Sequence, residues 1–156
     1  MIKHILAACA ALLALAATTA IASACPMISQ GHQTMRHSAT QLWSPVSYRI
    51  VAGGDIDLTR CRNVPRSARG YVIRNPDFSL YYDRNANYAL EFRTTGNCDT
   101  VLLVNTGAGN YYFDDDDGGG YNARIRLNRP SAGRYDIWVG TYGPSTCNTN
   151  LILETF

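Results

Sequence analysis

From residue 46 onward the chain repeats one rhythm: a short run with hydrophobic residues at every second position, then a cluster of Gly, Pro, Asn or Asp. That rhythm constrains the fold more than any other feature. Runs of this length are too short for stable helices, and a period of two places their apolar side chains on one face of a strand. NYALEFR (87–93) alternates cleanly, with Tyr88, Leu90 and Phe92 predicted inward and Ala89, Glu91 and Arg93 outward. ARIRL (123–127) and DIDLT (55–59) alternate in the same way, whereas TVLLV (100–104) is apolar on both faces, as a strand covered on both sides must be. Gly53-Gly54, between VSYRIVA and DIDLTR, predicts a tight hairpin. Asn75-Pro76-Asp77 predicts a turn. About nine or ten strands without a helix at this spacing predict an all-β fold, an antiparallel β-sandwich of jelly-roll-like type, over residues 46–156.

Two segments precede it. Residues 1–24 place Lys3 before an apolar run and end on Ala22-Ser23-Ala24, the three-part layout of a secretory signal peptide that leaves a chain starting at Cys25. The apolar run is too short and Ala-rich for a membrane span, so none is expected after cleavage. Residues 25–45 show no sustained period and read as an extended N-terminal arm, held by Cys25 and Trp43. Lys3 is the only lysine, so after the leader thirteen arginines face twelve acidic residues. This balance, with no basic stripe and no amphipathic helix, argues against nucleic acid and membrane surfaces as partners.

Cys9 leaves with the leader, and Cys25, Cys61, Cys98 and Cys147 remain. An even count in an exported chain reads as two disulfides. Three pairings are open to four cysteines, and sequence does not choose among them; the expected pair is Cys25–Cys61 with Cys98–Cys147. A competing reading starts from Cys25 directly after Ala24, which resembles a lipoprotein box. Lipidation would consume that thiol and leave one cysteine unpaired, and Ala22 stands where a larger aliphatic residue is usual.

In the second half the features fall in a specific order: a strand LEF, CDTVLLV, a Gly turn, YYFDDDDGGGYNARI, RLNRPSAGRYDIWVGTYG and a closing LILET. Over about residues 87–156 this order resembles the bacterial pre-peptidase C-terminal domain. The resemblance implies a small β-sandwich appended to secreted hydrolases, itself non-catalytic, with relatives that bind extracellular polymers such as collagen and some that bind calcium. Residues 25–86 are too few for the attached enzyme such a module usually serves, so segment 46–83 is expected to add strands to the sandwich or a further layer on it.

Three groups of residues are candidate sites. Asp114, Asp115, Asp116 and Asp117, with the Asn122 carbonyl and the flexible Gly118–Gly120 between them, supply the hard oxygens that calcium requires. The competing reading is a solvated hairpin tip between YYF and ARIRL, its acids paired across strands with Arg124 and Arg126. Trp138 lies out of phase with Ile137 and Val139 and so faces the second side of its sheet; with Tyr112, Tyr121 and Tyr142 it could form an aromatic binding surface, or these rings could cover the core edge. Met27, His32, Met35 and His37 offer thioether and imidazole ligands of the kind copper takes, against a reading as unconnected arm residues. For catalysis the sequence is poor. It has no Gly-x-Ser-x-Gly elbow, its two histidines after the leader lie in the arm, and Asp55, Asp57 and Glu91 read as solvent-face carboxylates before they read as a glycosidase pair. The expectation is an exported, non-enzymatic module of the periplasm or extracellular space that binds an extracellular or envelope polymer or protein, with calcium as its one candidate cofactor. The alternatives are a structural or stability protein of the envelope and a small secreted hydrolase.

Overall fold

A computed structural model describes residues 25–156; the leader lies outside the described residues. Eleven strands appear in chain order: β1 (Gln33–Ser38), β2 (Val46–Ala52), β3 (Ile56–Asp57), β4 (Tyr71–Val72), β5 (Phe78–Asp83), β6 (Leu90–Thr95), β7 (Thr100–Asn105), β8 (Tyr111–Asp114), β9 (Arg124–Leu127), β10 (Gly133–Thr141) and β11 (Cys147–Thr155). Two 3-10 turns, Gln41–Trp43 and Leu58–Arg60, are the only helical pieces among the described residues. The strands form two sheets. In the seven-stranded sheet β1, β5, β10, β4 and β3 follow in order, and β7 with β8 extends the other edge of β10. The four-stranded sheet runs β2-β11-β6-β9. The chain is therefore the all-β sandwich that the short alternating runs imply.

The period of two sets what lies between the sheets. Phe78, Leu80, Leu102, Val104, Ile137 and Val139 from one sheet meet Leu90, Phe92, Ile125, Leu151 and Leu153 from the other in a continuous buried layer. Residues of the opposite parity, Val101, Leu103 and Trp138, point to the far face of the seven-stranded sheet, where Ile56, Leu58, Val64, Ala68 and Val72 cover them. TVLLV is thus apolar on both faces because both faces are buried. Segment 46–83 does both: β2 and β5 are sandwich strands, β3 and β4 extend the seven-stranded sheet beside β10, and residues 58–68 between them form the extra layer on its far face. The disulfides are Cys25–Cys61, which fastens the start of the described chain to that layer, and Cys98–Cys147, which ties the β6–β7 turn to the start of β11.

Three local expectations are corrected. Residues 33–38 of the arm are a strand, β1, paired in parallel with β5 from Gln33↔Phe78 to Ser38↔Asp83, so the sheets are not purely antiparallel. The pattern hides it because an edge strand buries little: of its six residues only Met35 is buried. Gly53-Gly54 is a crossover and not a hairpin, since β2 belongs to the four-stranded sheet and β3 to the seven-stranded one. Glycine is needed for that crossing: Gly53 has φ +108°, and a Cβ on Gly54 would lie 2.1 Å from the Val72 carbonyl carbon. Third, YYF and ARIRL do not form a hairpin: β8 pairs with β7 and β9 with β6, so the acidic run also crosses between sheets.

Candidate functional site

The acidic turn is held by its own backbone. Asp114, at the end of β8, accepts hydrogen bonds at Oδ2 from the N–H groups of Asp117 (3.0 Å) and Arg124 (2.8 Å), joining the last residue of β8 to the first of β9. Asn122 closes the other side: its Oδ1 accepts from Gly96 N–H, its Nδ2 donates to the Gly119 carbonyl, and its own carbonyl accepts from Gly118 N–H. Gly119 and Gly120 take left-handed φ values of +93° and +63°. Half-buried Asp115 faces the exposed Arg69 at 3.8 Å, while Arg126 turns instead to Glu91. Burial raises the Asp114 carboxyl above its ordinary range, against the lowering effect of its two amide donors. Asp99 is raised too, by burial first and then by the charges of Asp116 and Asp115. Among the described residues no three His, Cys, Asp or Glu side chains stand where they could hold a metal ion. The copper candidates separate: Met35 is buried between the sheets, Met27 and His32 are exposed, and His37 Nε2 is hydrogen-bonded to the Tyr48 hydroxyl at 2.6 Å.

Of the three carboxylates that could serve a glycosidase, Asp55 is exposed, and Asp57 and Glu91 are engaged in structural contacts. Asp57 accepts from the Thr59 N–H and hydroxyl at the start of a 3-10 turn. Glu91 points outward, as the alternation requires, yet it is buried beneath Arg93 (2.9 Å) and Arg126 (3.6 Å), with Glu154 bound to the same Arg93 at 2.6 Å.

The two tryptophans exchange their expected places. Trp138 faces the second side of its sheet, but that side is covered: the ring is 0 % exposed, donates from Nε1 to the Arg74 carbonyl and packs beside Tyr111. It is a core residue and no part of a binding surface. Trp43, read as an arm anchor, is 59 % exposed and lies against Tyr88 at 4.9 Å between ring centroids. Tyr112, Tyr121 and Tyr142 are exposed. Tyr121 and Tyr142 attach through their backbones to Thr100 and Asp99 at one end of β7, while Tyr112 stands opposite Val104 near the other. They do not form a single patch.

Tyr112 borders a cavity of about 390 Å³, within the range of small-ligand pockets. One side comes from the β7–β8 turn, with Thr106, Asn110 and Tyr112; the other comes from the end of β9 and the loop after it, with Arg126, Asn128, Arg129 and Ser131. Its buried lining is Thr106, Leu127 and Tyr135, and the Tyr135 hydroxyl donates to the Ser131 carbonyl at 2.6 Å. No carboxylate lines it. Arg126 is partly balanced by Glu91 and lies over the Phe156 ring at 4.1 Å; Arg129 has no ion-pair partner among the described residues. The alternation misses this site because it reads Arg126 as an outward strand residue and Asn128-Arg129 as a turn. The available signal was the spacing of arginines in RIRLNR beside a Gly- and Asn-rich turn.

No protein-family model and no curated protein matches this sequence. Among solved structures, the crystal structure of Aeromonas hydrophila PliG, a periplasmic lysozyme inhibitor of g-type lysozyme, aligns with 80 % of this chain and 98 % of its own at 10 % identity and a TM-score of 0.41. A likeness that low carries no functional argument.

Proposed function

We propose that this chain is an exported, non-catalytic β-sandwich module that binds an extracellular or envelope polymer or protein. The observation that carries the reading is the cavity between the β7–β8 turn and the β9–β10 loop. It sets an unpaired arginine, an exposed tyrosine and side-chain amides on a disulfide-tied frame, the mixture of an adaptable polar rim and an aromatic anchor that recognition surfaces use. Two disulfides fit an oxidising compartment. Asp57 is spent on a cap and Glu91 on an ion-pair network with Arg93 and Arg126, leaving only the exposed Asp55. The resemblance of residues 87–156 to non-catalytic pre-peptidase C-terminal modules points the same way.

Immobilised oxidised protein should retain one class among peptidoglycan, polysaccharide and collagen-like polymer, and Tyr112→Ala should reduce that retention. Retention of none of them, or a hydrolytic product from any, would overturn the reading. In this account the acidic turn is structural, with Asp114 as its cap and calcium dispensable. An unchanged melting temperature in millimolar calcium is expected; a rise of several degrees would restore the cation.

A further inference from the structure

We infer that the cavity beside Tyr112 is a subsite for a carboxylate-bearing sugar ring, and that the polymer bound is an acidic polysaccharide. The inference rests on the binding reading above and names its ligand. Arg126 and Arg129 enter the cavity without any lining carboxylate, so the site carries net positive charge and matches an anion. A guanidinium pairs with a planar carboxylate through two parallel hydrogen bonds, and Arg129 keeps that fork available. Asn110, Asn128 and Ser131 supply donors and acceptors suited to ring hydroxyls, and Tyr112, 41 % exposed, offers an apolar ring on which a pyranose can rest. The chain's densest negative charge, Asp114–Asp117, begins where β8 ends, whereas the cavity lies at the strand's first residues, so the acids do not compete for the same arginines. An acidic peptide would satisfy the arginines too, but it offers no saturated ring to lie on Tyr112 and no hydroxyl on each unit, and it is the competitor that the test includes.

Calorimetry with a galacturonic acid tetramer tests this, using its methyl ester and poly-L-glutamate as controls. The acid tetramer should bind, and the ester, which keeps the ring and loses the charge, should bind about tenfold more weakly or worse. Arg129→Ala and Tyr112→Ala should each weaken binding by a similar factor with unchanged melting temperatures, both side chains being exposed. No binding of the acid tetramer, undiminished binding in both variants, or displacement by poly-L-glutamate at equal carboxylate concentration would overturn the inference. If the tetramer fails while the protein is still retained on a neutral polymer, the sugar assignment falls and the binding reading stands.

Discussion

Asp77 shows how one side chain can complete a sheet. β10 leaves β5 at Ile137↔Phe78 and meets β4 only at Thr141↔Tyr71, so Val139 falls in a gap between partners. Asp77 Oδ2 accepts the Val139 N–H at 2.7 Å, and Gly53 N–H donates to the Val139 carbonyl, replacing the missing ladder bonds. Burial pushes the Asp77 carboxyl up to about 7, against the lowering effect of the amide donors. A carboxyl raised in the fold favours its protonated form there, so its contribution is full below the ordinary aspartate range and is lost as pH rises toward 7. Relative to Asp77→Asn, the wild type should lose stability between pH 4 and 7 by up to about 1.4 kcal/mol per pH unit, measured by urea unfolding at each pH; parallel profiles would remove Asp77 as the cause. In sequence Asp77 is only the last residue of an Asn-Pro-Asp turn, because its acceptor role depends on a strand sixty residues away. The tryptophans teach a related lesson. The phase of Trp138 was legible from its neighbours, and a further layer from segment 46–83 was among the expectations, but not that it would cover this face, since residues 60–70 have no period to place them. Trp138→Ala should cost about 3–5 kcal/mol and Trp43→Ala less than about 1 kcal/mol, by the same unfolding assay.

At the scale of elements, alternation found the strands that bury one face fully, such as β6 and β9, and missed β1, whose single buried side chain leaves no pattern. It also misassigned two connections. Gly-Gly and the Asp-Gly run look like hairpin turns because both need left-handed backbone, yet local chemistry does not say whether the next strand returns to the same sheet or crosses to the other. The two crossovers differ in how they are fixed: close approach to β4 holds the first, and the Asp114 carboxylate holds the second. Asp114→Ala should therefore destabilise by about 0.5–1.5 kcal/mol by removing the acceptor of two exposed amides that water then takes over, while Asp116→Ala, exposed on the same turn, should stay within about 0.5 kcal/mol. Thermal unfolding of the two variants side by side checks this. The Cys98–Cys147 bridge spans 49 residues, and replacing both cysteines with serine should cost about 4 kcal/mol on the chain-entropy estimate.

Across the whole molecule, β8 and β9 run along one side of the sandwich with Arg126 and Arg129 at the cavity end and the four aspartates, beside Arg124 and Arg69, at the crossover end. The sandwich class was legible because it follows from local period; the count fell short of the eleven strands because β1 leaves no pattern, and the pairing Cys25–Cys61 with Cys98–Cys147, though expected, is fixed by the fold and not by the sequence. The cavity was not legible, because it assembles the β7–β8 turn with the loop after β9, segments about twenty residues apart whose closeness depends on two sheets facing each other. A frame that holds a polymer and leaves it intact is checked by incubating the oxidised protein with an acidic polysaccharide of defined length, followed by size-exclusion chromatography. Co-elution of the protein with polymer of undiminished length is the predicted result; shortened polymer, or protein and polymer eluting apart, would contradict it.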